Sequence, residues 1–217
     1  MKHYALLVLG TSIWGFGFIA AKWSLQVYGP YWANTLRFLI ACAFSLPLFI
    51  KYKTYKQNYK YFIPPLIAGT MIYFGMHFQT LGLKFTSVAK SGFLTSFYVI
   101  FIPLLAILFR KRSYSFVFWF YVLMALVGVA LLCELKFSGF NIGDFYTLLC
   151  ALSFAIHILY IDKITKDYNS FELNGLQFAT ALLWGAPISY IMEGDVNISA
   201  LLLPENHLAL YGVLFLG

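Results

Sequence analysis

Of the 217 residues, 61% are apolar and only 11% are charged, against about 25% charged in a soluble domain. That excludes a soluble globule and leaves an integral membrane protein. The net charge of +7 is divided among short stretches between apolar runs, the pattern of membrane topology rather than of a nucleic-acid surface, so nucleic acid is not expected as a partner.

Seven runs have about the 20 residues a helix needs to cross a bilayer. The first, 4–23, follows Lys2; its length, its Trp and Phe content and the lack of a small-residue cleavage site make it a retained helix rather than a signal peptide. Tyr28-Gly29-Pro30 separates it from the second, 31–50, since Pro cannot continue a helix. The third, 62–82, opens on Pro64 and Pro65, where missing amides cost least. The fourth spans 90–109. Pro103 in it and Pro47 in the second are expected to kink or end their helices. Ser113 is placed to cap the fifth run, 115–133, and Gly139 and Gly143 punctuate the loop before the sixth, 143–161. Ser170 caps the seventh, 172–192, and an eighth run begins near His207. The runs are continuous and do not alternate, so they read as helices and not barrel strands. Gly15, Gly17, Gly75, Gly82 and Gly92 are expected to permit close helix approach, with Gly15 and Gly17 also able to let the first helix bend.

The connecting stretches alternate in charge. Lys2, then Lys51, Lys53, Lys56 and Lys60, then Arg110, Lys111 and Arg112, then Lys163 and Lys166 fall on one side. The other side holds Lys22, Lys84, Lys90 and Lys136 with Glu134, Asp144, Glu193, Asp195 and Glu205. The excess of cations puts the first side, and the N-terminus, in the cytoplasm of a multi-pass inner (plasma) membrane protein. Lys84 and Lys90 flank the loop between the third and fourth runs, as solvated interface residues or as an outer gate.

Residues 34–47, NTLRFLIACAFSLP, and 174–187, NGLQFATALLWGAP, share Asn, Leu, Phe, Ala and Pro at five of fourteen positions, all offset by 140. Chance gives about one match in such a window. Five helices fit before the second copy starts, and an odd number inverts it. The duplication therefore predicts two repeats, 1–138 and 139–217, related by an axis in the membrane plane. By the offset Gly217 corresponds to His77, so the chain is expected to be a fragment ending inside helix eight of ten.

Four pieces of sequence resemble the EamA-type transporters of the drug/metabolite transporter superfamily. They are Trp14-Gly15 followed by Phe16-Gly17-Phe18, Arg37-Phe38, the run GLKFTSVAKSGFLTSFYVIFIP from Gly82 to Pro103, and Gly143-Asp144 followed by Leu148, Ala151 and Ala155. Ser153-Phe154 departs from the family's usual aromatic-Ala pair. The resemblance implies an all-α polytopic fold of two inverted five-helix repeats with a substrate cavity between them. Family members move amino acids, nucleosides, nucleotide sugars, other metabolites or drugs. The expected function is transport of a small metabolite or drug-like solute by alternating access. The competing readings are a channel or structural membrane protein, and a membrane-embedded enzyme.

Several polar and aromatic residues inside the runs are candidates for the substrate site. Arg37 costs about 2.5–3.5 kcal/mol toward the bilayer centre, so it either faces a cavity, where its fork suits a carboxylate or phosphate, or snorkels to the interface. Gln177 is its repeat mate. Asn34 lies one turn before Arg37 and, with Asn174, reads either as a site residue or as a bond between helices. His77, Gln79 and His157 complete the polar set, the histidines being the near-neutral titrating groups within the spans. Trp14, Tyr98 and Tyr160 are candidates for lining a cavity for planar substrates. Cys42, Cys133 and Cys150 read as small helix residues, with a Cys133–Cys150 disulfide as the alternative. No catalytic, cofactor or metal motif is present in the sequence, so neither enzyme activity nor a cofactor is expected. Beyond a small-molecule substrate and lipid, a homodimer is left open.

Overall fold

The computed structural model describes residues 2–52, 61–133 and 139–217, and these are helical with no strand among them. In chain order they form α1 (Lys2–Ser24), α2 (Pro30–Tyr52), α3 (Ile63–Phe85), α4 (Val88–Thr95), α5 (Tyr98–Arg110), α6 (Phe116–Leu132), α7 (Ile142–Ile164) and α8 (Ser170–Glu193). Two 3₁₀ turns, Ile198–Leu202 and Pro204–Asn206, lead into α9 (His207–Leu216). Lys53, Lys56, Lys60, Glu134 and Lys136 lie outside the described residues.

The fourth run is divided, but not at Pro103. The break falls at Ser96-Phe97, between α4 and α5. Pro103 has no amide for the Val99 carbonyl, and its ring crowds the preceding turn. At the break itself Val99 N–H bonds Ser96 O at 3.0 Å and Ile100 N–H bonds Phe97 O at 2.9 Å, both 3₁₀ spacings. Pro47 does not end α2, which continues to Tyr52.

The caps differ from expectation by one or two residues. Ser115, not Ser113, accepts from Phe118 N–H at 3.2 Å to cap α6. Asn169, not Ser170, accepts from Phe171 N–H at 2.9 Å to cap α8. A cap must be the extended residue next to the first turn, and sequence leaves that position uncertain by about two residues. Gly143 lies inside α7 rather than in the preceding loop, and all three cysteines are free thiols.

Hydrogen bonds sort the helix ends into two sets. At one end Lys22 Nζ donates to Leu83 O at 2.5 Å, and Tyr28 Oη donates to Asn197 O at 2.7 Å. The Glu193 carboxylate there accepts from Tyr31 N–H at 3.1 Å and Trp32 N–H at 2.9 Å. It thus satisfies amides at the start of α2 and places a negative charge at its positive pole. At the other end Arg110 pairs with Asp162 at 2.6 Å, Tyr61 Oη donates to Glu172 at 2.7 Å, and Tyr168 Oη donates to Tyr61 O at 2.5 Å. The C-terminus of α8 meets the N-terminus of α2, so the two helices are antiparallel.

Three pairings build the bundle: α2 on α8, α3 on α7, and α1 on α9, with α3 also against α8. Apolar burial drives little association in lipid, so close approach through small residues matters more. A Cβ on Gly69 would lie 2.6 Å from Thr180 Cβ and 2.7 Å from Gln177 O; one on Gly143 would lie 2.7 Å from Gly82 O. Gly75 is also close, against the Phe154 ring, whereas Gly15 and Gly92 have no neighbour within 4 Å and do not serve close approach.

Four helical spans (Tyr4–Ser24, Pro30–Lys51, Val88–Arg110 and Ile142–Ile164) combine membrane-crossing length with high hydropathy among the described residues. The other expected runs are helical too but are shorter or more polar. α6 has 17 residues, and α3 and α8 have the length but carry His77, Gln79, Asn174 and Gln177. α3 sits in the middle of the bundle, with His77 and Gln79 buried against neighbours; on α8 Gln177 is buried but Asn174 is exposed. α6 shows the opposite, with Phe116 85% and Leu132 86% exposed, surface suited to lipid.

Candidate functional site

Two adjoining cavities open between the helices. The first, about 300 Å³, is lined by Trp14 and Gly17 of α1, Arg37 and Phe38 of α2, Gln79 of α3 and Phe178 of α8. Helical periodicity explains the set, because Ile72, Met76 and Gln79 put one face of α3 on the cavity. The second, about 380 Å³, shares Gly10, Trp14 and Ile72 with the first and adds Tyr98, Phe154 and His157. Trp14 stands between them with its ring edge on Phe154, centroids 5.7 Å apart. Tyr98 reaches the cavity because α5 restarts there, immediately after the break.

Arg37 is the eighth residue of α2, roughly 11 Å along the axis from its first residue at about 1.5 Å per residue, and well inside an apolar layer about 30 Å thick. Its guanidinium carbon is 6.0 Å from the Phe38 ring centroid. Its Nη1 is buried with no hydrogen-bond partner among the described residues. The ion pairs among those residues are Lys90–Asp144 and Arg110–Asp162, so Arg37 is joined to no carboxylate. Gln79, 5% exposed, also leaves its Nε2 without a partner there.

Gln177, the repeat mate of Arg37, is held differently. Its Oε1 lies 2.7 Å from His157 Nε2, and its Nε2 donates to Asn174 Oδ1 at 3.4 Å within α8. The structure thus gathers Trp14, Arg37 and Gln79 around one cavity and Trp14, Tyr98 and His157 around the next, with Gln177 tied to His157.

Three other sequence candidates lie off the cavity walls. His77 is packed against Tyr31, centroids 4.6 Å apart, and stacked on Tyr73 at 5.6 Å. Asn34 is fully buried, and neither of its amide atoms has a partner among the described residues. Tyr160 packs with Ala68, Ile164 and Leu173 near the end that carries Tyr168. Lys84 is exposed and lines a separate cavity of about 420 Å³ with Lys22, Gln26 and Tyr28. Lys90 is neither simply solvated nor free, since it pairs with the buried Asp144 at 2.6 Å.

Sequence reasoning missed Phe38 and Phe178 as lining residues, although they are one of the five identities of the repeat. It also missed the Asp144 clamp. Thr86 Oγ1 and Asn141 N–H donate to this carboxylate at 2.9 and 2.8 Å, joining the end of α3, α4 and the start of α7. The Asn141-Ile142-Gly143-Asp144 capping spacing was the available signal.

Residues 1–133 match the EamA-like transporter family. An uncharacterized transporter of Archaeoglobus fulgidus is 36% identical over 198 residues, covering 89% of this chain and 59% of that protein. A second uncharacterized transporter of the same organism is 24% identical over 177 residues, covering 80% of this chain and 62% of that protein. The chain therefore spans about three fifths of the length of these curated relatives. A solved crystal structure superimposes with a TM-score of 0.64 at 18% identity, covering 98% of this chain and 74% of that one, a likeness of fold. With the family matched over more than half its length and a bundle of apolar helices to carry it, the chain belongs to the EamA-like transporter family of multi-pass membrane proteins.

Proposed function

We propose that the protein moves a small metabolite or drug-like solute across the membrane by alternating access, with the joined cavities as its substrate site. Trp14, Arg37, Gln79, Tyr98 and His157 line the site, and Gln177 positions His157. Asn34, His77 and Tyr160 form a surrounding polar and aromatic layer. Lysine and arginine at the end bearing Lys51, Arg110, Lys111, Arg112, Lys163 and Lys166 favour placing that end, and the N-terminus, in the cytoplasm of the inner membrane.

One observation carries this reading: the packing obeys the 140-residue offset. Adding or subtracting 140 turns the α1–α9 pairing into α7–α3 and returns α2–α8 to itself, and both pairings are present. One residue pair follows the same offset. Thr35 Oγ1 bonds Ser189 Oγ at 2.8 Å, and the shifted pair, Gly175 and Phe49, is also in contact, with a Gly175 Cβ 3.1 Å from Phe49 Cβ. Phe38 and Phe178 are each other's mates and their ring centroids are 6.4 Å apart, so a two-fold axis would pass between them, beside the first cavity. Two repeats (1–138 and 139–217) in opposite senses about a central site are the architecture of a rocking carrier.

The test is solute uptake in proteoliposomes. Saturable uptake with counterflow supports the carrier. Conductance in discrete single-channel steps without saturation would replace it with a channel.

A further inference from the structure

We infer that the first cavity is an anion site, selective for small amphipathic monoanions, created because one half of the duplication lacks the side chain that closes the other half. This rests on the carrier reading for its role in transport but not for binding itself. In the second half, position 177 carries Gln and position 157 carries His, and the two bond at 2.7 Å. Subtracting 140 gives Arg37 and Gly17, which line the same cavity. Where His157 covers Gln177, Gly17 has no side chain to cover Arg37. Space is left there, since a Cβ built on Gly17 meets only Leu216 Cδ2, at 3.9 Å.

The result is a guanidinium well inside an apolar helix that has, among the described residues, no carboxylate partner and a buried, unpaired Nη1. A buried cation without a counter-ion is costly in an apolar medium. A bound carboxylate would take both the charge and the fork. Gln79, buried on the same cavity and with an Nε2 unpaired among the described residues, adds a second donor for the anion. The remaining wall of Trp14, Phe38, Met76, Phe178 and Phe215 suits an apolar or aromatic body. A volume of about 300 Å³ sits at the small end for ligand pockets, which suits one ring or a short chain beside the guanidinium.

Equilibrium dialysis of the full chain in detergent against phenylacetate, phenylacetamide and phenethylamine tests this, because the three differ mainly in charge. Phenylacetate should bind at least about tenfold more tightly than the other two, the smaller end of a charged hydrogen bond's worth. Arg37→Gln should abolish the preference and Arg37→Lys should keep part of it. Gly17→His with Arg37→Gln rebuilds the His157–Gln177 pair in the first half; it should remain folded, with a Tm near that of the parent, and bind no anion selectively. Equal binding of the three probes, no phenylacetate binding, or a preference that survives Arg37→Gln would each overturn the inference. Arg37-dependent binding without transport would remove the carrier reading alone, and saturable uptake together with a phenylacetate preference that survives Arg37→Gln would remove the anion site alone.

Discussion

Replacing Asp144 with asparagine should loosen the join between α3, α4 and α7. The carboxylate is fully buried and accepts from Lys90 Nζ at 2.6 Å, Asn141 N–H at 2.8 Å and Thr86 Oγ1 at 2.9 Å. Asparagine can keep the shape if its oxygen faces Lys90 and Asn141, because the Thr86 hydroxyl can rotate to accept from the new NH₂. What is lost is charge. Breaking a buried ion pair costs about 3–5 kcal/mol, but the Lys90 side chain is 18% exposed and can turn partly toward water. We therefore expect about 2–3 kcal/mol for Asp144→Asn, and the full 3–5 kcal/mol for Asp144→Ala, which also removes the capping box. Equilibrium unfolding in mixed micelles measures both. Lys90→Ala combined with Asp144→Ala should cost less than the sum of the single changes by about 1–3 kcal/mol. A loss under about 0.5 kcal/mol for Asp144→Asn, or strict additivity in the double variant, would refute the reasoning.

Gly69→Ala forces a methyl to within 2.6 Å of Thr180 and 2.7 Å of the Gln177 carbonyl; α3 and α8 should separate at a cost of about 1–3 kcal/mol, read as a lower unfolding midpoint, and an unchanged midpoint would mean the contact is not tight. Glu193→Ala removes the acceptor for the Tyr31 and Trp32 amides and should cost about 1–2 kcal/mol, with faster amide hydrogen exchange confined to the first turn of α2. His157→Ala leaves Gln177 Oε1 without its partner at 2.7 Å and should destabilise by about 1–3 kcal/mol, whereas His157→Gln should recover part of the loss.

The spans were legible because lipid demands continuous apolar runs. The structure places α1, α2, α3, α7 and α8 within about three residues of the expected bounds, which fits the ordinary uncertainty of helix ends. The helix joins were less legible. The break at Ser96-Phe97 lies upstream of Pro103, and composition does not show which turn will tighten. Arg37 was visible as a charge in an apolar run, but that no acid among the described residues pairs with it depends on where each of those acids folds. Asp144 shows the same limit from the other side: it reads as one acid beside a helix start, and only tertiary packing brings Lys90 and Thr86 to it. Gly17 carries no chemistry in sequence; it gains meaning only when His157 is known to fill the matching place.

In the proposed carrier mechanism the two inverted halves rock about the Phe38–Phe178 contact. The most direct test uses the two contacts that the 140-residue offset exchanges. In a cysteine-free background, Thr35→Cys with Ser189→Cys would staple α2 to α8 toward one end, and Phe49→Cys with Gly175→Cys would staple them toward the other. Uptake into proteoliposomes is measured before and after oxidation. Each staple alone should stop flux, and reduction should restore it. Undiminished flux with either disulfide fully formed would contradict rocking between the halves.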